Sequence, residues 1–201
     1  MTQQSDKKLP QGRRAITNEK LRQTVIEQLH TLGYSAITIE GVCAASGVAK
    51  TTLYRRWKSK AEMIFELVIH TDPNYEYPDT GTIQGDIATI AADAVNFICN
   101  PLARKALPGL LEAIAADPAL HDRLHTVFIQ PAHQAITHVL RRAEARGEIA
   151  AQTHLDPDIF YAALIGIPLC ATQLLRLEDT NVLTEKLAAH LLASLDLRIT
   201  P

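Results

Sequence analysis

Residues 33–63, GYSAITIEGVCAASGVAKTTLYRRWKSKAEM, decide the fold of this chain. The segment predicts two short helices, one beginning at Thr38 and ending at Ser46-Gly47, and one running from about Lys50 to Arg56. The Thr38 hydroxyl is placed to accept a hydrogen bond from a backbone N–H that the first helical turn leaves unpaired. Two short helices joined by a tight turn that contains glycine are the pattern of a helix-turn-helix.

In that geometry the second helix enters the major groove of DNA, and its N-terminal residues meet the base edges. The side chains of this helix are donors and hydroxyls that suit both phosphates and bases. The alternative interpretation is two ordinary packed helices with a solvated basic end, and the turn alone does not decide between them. The candidate DNA contacts on this helix are Lys50, Thr51, Thr52, Tyr54, Arg55 and Arg56.

A further helix is predicted on each side of this pair. Before it, Thr17-Asn18 can cap a helix that ends at Gly33, a residue that tolerates the left-handed conformation after a helix. Its apolar residues recur at helical spacing: Leu21, Val25, Leu29 and Leu32. After the pair, a helix is predicted from Ser59 or Lys60 to His70, with an apolar stripe formed by Met63, Ile64, Leu67 and Val68.

The same segment resembles the N-terminal domain of the tetracycline-repressor (TetR) family of bacterial transcriptional regulators. The matching residues are Gly33-Tyr34, Thr38, Ala45-Ser46-Gly47-Val48, Thr52-Leu53-Tyr54 and the run from Trp57 to Met63. The remainder of the chain matches only in helical layout and length, and in Gly166-Ile167-Pro168 near Arg176. The resemblance implies an all-α fold, with a three-helix DNA-binding domain followed by a larger helical domain that binds an effector and dimerises.

The resemblance also implies roles for individual residues. Lys50, Thr51 and Arg55 would contact bases or nearby phosphates, and Arg56 would join either set. Phosphate contacts are expected from Thr38, Tyr54 and Lys60, whereas Val48, Leu53 and Trp57 would pack the core of the small domain. Two residues depart from the family pattern: Ala49 stands where Ser is frequent, so a cap of about 1 kcal/mol is missing, and Thr51 stands where Gly is frequent. Both departures concern which operator sequence is bound.

Composition and charge agree with a two-part helical chain. The 201 residues include 28 Ala against 9 Gly, which favours helices. Residues 1–70 carry a net charge of +5 and residues 71–201 a net charge of −7, so the first part suits a polyanion. Prolines and a glycine within residues 71–81 predict the boundary between a DNA-binding domain, 1–70, and an effector and dimerisation domain, 71–201.

The first fourteen residues are expected to form a basic, flexible tail. Arg13 and Arg14 at its end are candidates for a minor-groove arm. A disordered solubilising tail is the alternative.

Five helical stretches are predicted in the larger domain: Ile83 to Asn100, Leu102 to Ala116 with a bend at Pro108, Pro118 to Arg146 with a kink at Pro131, Pro157 to about Leu177, and a last helix through Leu183 and Leu195. The last two are more apolar than one core explains. They predict a homodimer through a four-helix interface, with an intramolecular core as the alternative. A dimer would place two recognition helices about 34–36 Å apart on a palindromic operator.

The resemblance further implies a small-molecule pocket among the middle helices, although plain core packing is the alternative for each candidate. The candidates are Phe97, Leu110, Ile114, His125, Phe128 and Phe160. The effector itself is not named by the sequence.

Other classes of protein are disfavoured. The N-terminus lacks the apolar core of a signal peptide, and the longest apolar run, Ile159 to Ala171, is shorter than the ~20 residues of a membrane span. A cytoplasmic protein without a membrane partner is therefore expected. His121 and His125 form a possible metal pair without a third ligand, and no catalytic motif appears, so no metal, cofactor or enzyme activity is expected. The prediction is a ligand-responsive repressor; the alternative is a helical interaction module that binds no DNA.

Overall fold

The computed structural model describes residues 13–69, 77, 79–150 and 156–195, and within them the architecture is all-α, which confirms the predicted fold class. The N-terminal part contains α1 (Arg13–Thr31), α2 (Gly33–Ala36), α3 (Ile39–Ser46), α4 (Lys50–Arg56) and α5 (Lys60–Ile64). A π-helical turn, Phe65–Ile69, continues α5. The larger part contains α6 (Ile83–Cys99), α7 (Pro101–Ala116), α8 (Pro118–Leu124), a second π-helical turn (His125–Ile129), α9 (Gln130–Arg146), α10 (Pro157–Gln173) and α11 (Thr180–Ala193).

Local sequence explains most helix starts. A side-chain oxygen at the residue before the helix accepts a hydrogen bond from the first turn, which satisfies a donor that would otherwise be unpaired. The capping residues are Thr38, Ser59, Thr82, Asn100, Asp117, Asp156 and Asp179. Ala49 makes no such bond before α4, as its side chain dictates.

The structure differs from the predicted boundaries at several helix ends. α1 begins at Arg13 rather than at Thr17-Asn18, and the one-turn α2 begins at Gly33, whose φ is +74°. The predicted helix end at His70 and most of residues 71–78 lie outside the described residues. The distortion expected at Pro131 takes the form of the π-helical turn just before it, because proline lacks the N–H that would bond to the carbonyl of Val127.

α10 ends at Gln173, four residues earlier than predicted. The chain then folds back on the helix, since the N–H groups of Leu175 and Leu177 donate to the carbonyls of Cys170 and Ala171. This wrap leaves the side chains of the leucines that follow Gln173 exposed to solvent.

Two clusters of buried side chains form the core. The first joins α1 and α3–α5 to α7 and α8, and includes Leu29, Trp57 and Leu110. The second joins α6, α9, α10 and α11, and includes Ile87 and Leu187. The first cluster thus crosses the predicted domain boundary at residue 70. Within the described residues, no helix has the length and apolar character needed to span a bilayer.

A network of charged groups ties the start of α6 to the end of α9. The Asp86 carboxylate is fully buried and lies 3.0 Å from Nη2 of Arg146 and 3.8 Å from Nη2 of Arg142. The backbone N–H and the hydroxyl of Thr80 donate to Asp86 at 2.8 and 2.7 Å. Burial raises the pKa of Asp86, but the hydrogen bonds from Thr80 and Arg146 and the charge of Arg142 outweigh burial, so the pKa lies below its usual 3.8.

Candidate nucleic-acid interface

The helix-turn-helix is built by α3, the turn at residues 47–49, and α4. The Thr38 hydroxyl accepts a hydrogen bond from the N–H of Gly41 at 3.0 Å, as the sequence predicted. Gly47 has a φ of +67°, a conformation that suits glycine and turns the chain between the two helices. Leu53 and Trp57 are buried in the first core cluster, so the inner side of α4 is fixed.

The opposite side of α4 is open to solvent. Lys50, Thr51, Tyr54 and Arg55 are exposed, and we call these four residues the recognition face. Thr52 is half-buried beside them. The Lys50 ammonium lies 5.4 Å from the centre of the Tyr54 ring, close enough for a cation–π contact.

A carboxylate that the sequence analysis did not assign to DNA binding lies against this face. Oε1 of Glu40, on α3, is 2.7 Å from Nζ of Lys50 and accepts a hydrogen bond of 2.7 Å from the Tyr54 hydroxyl. The hydrogen bond from Lys50, followed by that from Tyr54, lowers the pKa of Glu40 to about 2. The same contact raises the pKa of Lys50 and of Tyr54. Glu40 was missed because its place in the first turn of a helix already explained an acidic residue.

The structure places Arg56 away from the recognition face, in contrast to the sequence expectation. Its guanidinium pairs with Glu66 and donates to the side chain of Asn18. It also stacks 4.3 Å from the centre of the Trp57 ring, whose Nε1 donates to Glu66 at 2.7 Å. Arg56 therefore holds α4 to the helices behind it, because helical periodicity turns it to the side opposite Lys50 and Tyr54.

Lys60 has protein partners of its own. Its Nζ donates to the carbonyls of Tyr34 and Ser35 at 3.0 and 3.1 Å, and lies 4.6 Å from the centre of the Tyr34 ring. Arg13 and Arg14 begin α1, but their side chains and the tail before them lie outside the described residues.

Tyr34 also forms the contact between the N-terminal helices and α7. The ring is buried against Gly109, where a Cβ atom would lie only 2.0 Å from Cδ1 of Tyr34. The Tyr34 hydroxyl is buried with no hydrogen-bond partner. Glycine at this position lets α2 and α7 approach each other. The sequence did not predict this contact, because Gly109 stands beside Pro108 inside a helical pattern.

Three further contacts join the same two parts of the chain. Nζ of Lys105 donates to the carbonyl of His30 at 3.2 Å, and Nε of Arg123 donates to Glu62 at 2.9 Å. Phe65 and Phe128, one from each π-helical turn, have ring centres 4.4 Å apart. These contacts therefore couple the positions of α7 and α8 to those of the helices that carry the recognition face.

The pocket candidates fall into separate groups. Leu110 and Phe128 belong to the first core cluster, and Phe97 and Ile114 pack against it. Phe160 lies in the second cluster. His125 is half-buried, and its ring stacks 6.1 Å from that of His121. In the described ranges, no group of three or more His, Cys, Asp or Glu side chains is placed to hold a metal ion.

Comparison with known proteins matches both parts of the chain to family models. The model described as "Bacterial regulatory proteins, tetR family" matches residues 25–67, and the model described as "Tetracyclin repressor-like, C-terminal domain" matches residues 77–194. A relative in Mycobacterium tuberculosis, the uncharacterized HTH-type transcriptional regulator Rv1556, is 29% identical over 140 residues, which cover 68% of this chain and 67% of that protein.

Two other proteins extend the comparison. The DNA-binding transcriptional repressor TetR of Mycobacteroides abscessus is 32% identical over 119 residues, covering 58% of this chain and 62% of the relative. The transcriptional regulator FadR of Bacillus subtilis, solved in complex with stearoyl-CoA, has a similar fold, with a TM-score of 0.58 at 13% identity over 88% of this chain and 98% of that one.

Proposed function

Because this chain belongs to the TetR family of bacterial transcriptional regulators, we propose that it represses transcription from a palindromic operator until a small-molecule effector releases it. The family consists of DNA-binding regulators, not enzymes. The observation that carries the proposal is the recognition face, which α4 presents to solvent while its other side is anchored by Leu53 and Trp57. The protein would act in the cytoplasm, where the bacterial chromosome lies.

The proposed DNA contacts follow from these positions. Lys50, Thr51, Tyr54 and Arg55 would enter the major groove with Thr52 at their edge. Thr38 and Lys60 would contribute phosphate contacts from neighbouring helix starts, where positive ends of helix dipoles favour anions. Arg13 and Arg14 remain candidates for a minor-groove arm. Arg56 is left out of the set because Glu66 and Asn18 already hold its guanidinium.

We propose that a homodimer binds the operator. It would form through α10, α11 and the segment 174–177, which folds back on the end of α10. Large apolar side chains are exposed there in the single chain, among them Ile159 at 67% and Leu174 at 76%. A second copy related by a two-fold axis would bury the same surface on both chains. This arrangement supports a palindromic operator, since each half-site then meets an identical α4.

An effector is proposed to bind among the middle helices, beside Phe97, Leu110, Ile114, His125 and Phe128. The match to a TetR-like C-terminal domain supports a small-molecule effector. The apolar side chains at these positions favour a ligand with an apolar part, as the acyl chain of the stearoyl-CoA bound by FadR is apolar. Phe160 would take part only if the pocket reaches the second core cluster. Binding would shift α5 through its contacts with α7 and α8, so DNA and effector would weaken each other reciprocally.

Fluorescence anisotropy on the DNA that flanks this protein's own gene tests the proposal. The wild type is expected to bind tightly, with affinity that falls steeply between low and moderate salt. Lys50→Ala and Tyr54→Ala should each weaken binding, whereas Arg141→Ala, which removes an exposed charge on α9, should not. Salt-independent binding, or equal affinity for all four proteins, would contradict the proposal. If the protein does not bind DNA near its own gene, a genome-wide pull-down of bound fragments locates an operator elsewhere in the genome.

A further inference from the structure

The recognition face contains one feature that works against binding a polyanion. Glu40 places a carboxylate beside Lys50 and Tyr54, at 2.7 Å from the polar atom of each. The side chains of Glu40 and Lys50 are 53% and 58% exposed, so the contact lies at the surface and water competes with it. An exposed ion pair of this kind is weak and opens readily.

Contact with DNA changes the surroundings of this carboxylate. Phosphates repel it, and any phosphate or base that takes Lys50 and Tyr54 as donors leaves Glu40 without partners. In the major groove, the donors available to a carboxylate are the amino groups of cytosine and adenine, and a glutamate characteristically accepts from cytosine N4. The Glu40 carboxylate therefore weakens binding to most DNA sequences. This loss of affinity is offset where such an amino group lies within hydrogen-bond distance of the carboxylate.

We propose that Glu40 is a specificity-determining residue, whose carboxylate penalises binding to DNA in general and reads the amino group of a cytosine at one position of each half-site. This inference rests on the DNA-binding function proposed above. It assigns to α3 a part in base recognition, beside the contacts made by α4. The cytosine amino group would donate a hydrogen bond to the Glu40 oxygen that contacts Lys50 and Tyr54 in the free protein.

Two measurements on the full chain test the inference. The first is the affinity for random-sequence duplex DNA, and the second is the base preference of duplexes selected from a random library. Glu40→Gln and Glu40→Ala should bind random DNA at least fivefold more tightly than the wild type. Both should lose most of the cytosine preference at one position per half-site, and glutamine should favour adenine there, because its amide pairs with adenine N6 and N7.

Glu27→Gln is the matched control, since it removes the same charge from an exposed position on α1. It should leave both measurements within twofold of the wild type. Unchanged random-DNA affinity and unchanged base preference in both Glu40 variants would overturn the inference. Wild-type protein that binds DNA without any base preference would also overturn it while leaving DNA binding intact, whereas wild type that binds no DNA would refute the proposed function itself.

Discussion

At the scale of single residues, neighbours in the sequence have different surroundings in the fold. Arg55 is exposed on the recognition face, whereas the guanidinium of the adjacent Arg56 is held between Asn18, Trp57 and Glu66. The sequence offered two adjacent arginines with the same chemistry. Only the direction of each side chain separates a candidate DNA contact from a structural one.

Exchange of each arginine for alanine should therefore have different effects. Arg56→Ala is expected to lower the free energy of unfolding by about 1–2 kcal/mol, because it leaves Glu66 without its cation. Arg55→Ala should change stability by less than about 0.5 kcal/mol and lower DNA affinity instead. Urea denaturation and DNA anisotropy on both variants check this, and a reversed pattern would contradict the assignment.

Asp86 provides a second prediction at this scale, through pH. Its pKa is lowered in the folded protein, so its contribution to stability is present above about pH 4 and is lost as the pH falls through the folded pKa. Asp86→Asn should cost about 2–4 kcal/mol at neutral pH, because it leaves Arg142 and Arg146 without a buried counter-ion.

The difference between wild type and Asp86→Asn should shrink as urea denaturation is repeated at falling pH. Glu27→Gln, at an exposed position on α1, serves as the control and should follow the wild-type curve. A constant difference across the acid range would contradict the assigned role of the Asp86 charge.

At the scale of helices, much of the arrangement was predictable from the sequence. The bounds of α4 follow from the glycine turn before it and from apolar spacing, and the start of α5 follows from the Ser59 cap. These are local signals. The one-turn α2, the π-helical turns and the early end of α10 were missed, since each depends on bonds or packing that a linear pattern does not contain. The contact of Tyr34 with α7 was missed for the same reason, because Gly109 lies on a distant helix. The contact of Glu40 with Lys50 and Tyr54 was also missed, because a place in the first turn of α3 already explained an acidic residue there.

The close packing of α2 against α7 leads to a prediction about the stability of a Gly109 variant. Gly109→Ala places a methyl group on the Tyr34 ring and should destabilise the protein by about 1–3 kcal/mol. The same Gly109→Ala change in a Tyr34→Ala background is the matched control, since the three atoms nearest to the new Cβ all belong to the Tyr34 ring. In that background the change should be neutral or stabilising by up to about 1 kcal/mol. Thermal unfolding in both backgrounds checks this, and equal effects would contradict the tight contact.

At the scale of the whole molecule, the exposed apolar surface at α10 and α11 leads to a prediction about assembly. Leu175→Glu adds a charge to a side chain that is 64% exposed in the single chain. Light scattering should show a shift from dimer to monomer, and operator affinity should fall at least about tenfold because the half-sites are no longer linked. Leu111→Glu, which alters a 46% exposed leucine on α7, should leave the dimer intact; a monomeric wild type would contradict the prediction.

The first core cluster also limits how this regulator can be recombined with its relatives. A chimera could join residues 13–69 of this chain to the ligand-binding domain of a relative. The first core cluster, which contains Leu29 and Trp57, would then lose its α7 and α8 side chains and receive those of the relative. The chimera would also need a glycine opposite Tyr34, where any larger residue would obstruct the graft. Modular sensors built from this chain would therefore keep α7 and α8 with the DNA-binding head, and place the junction beyond them.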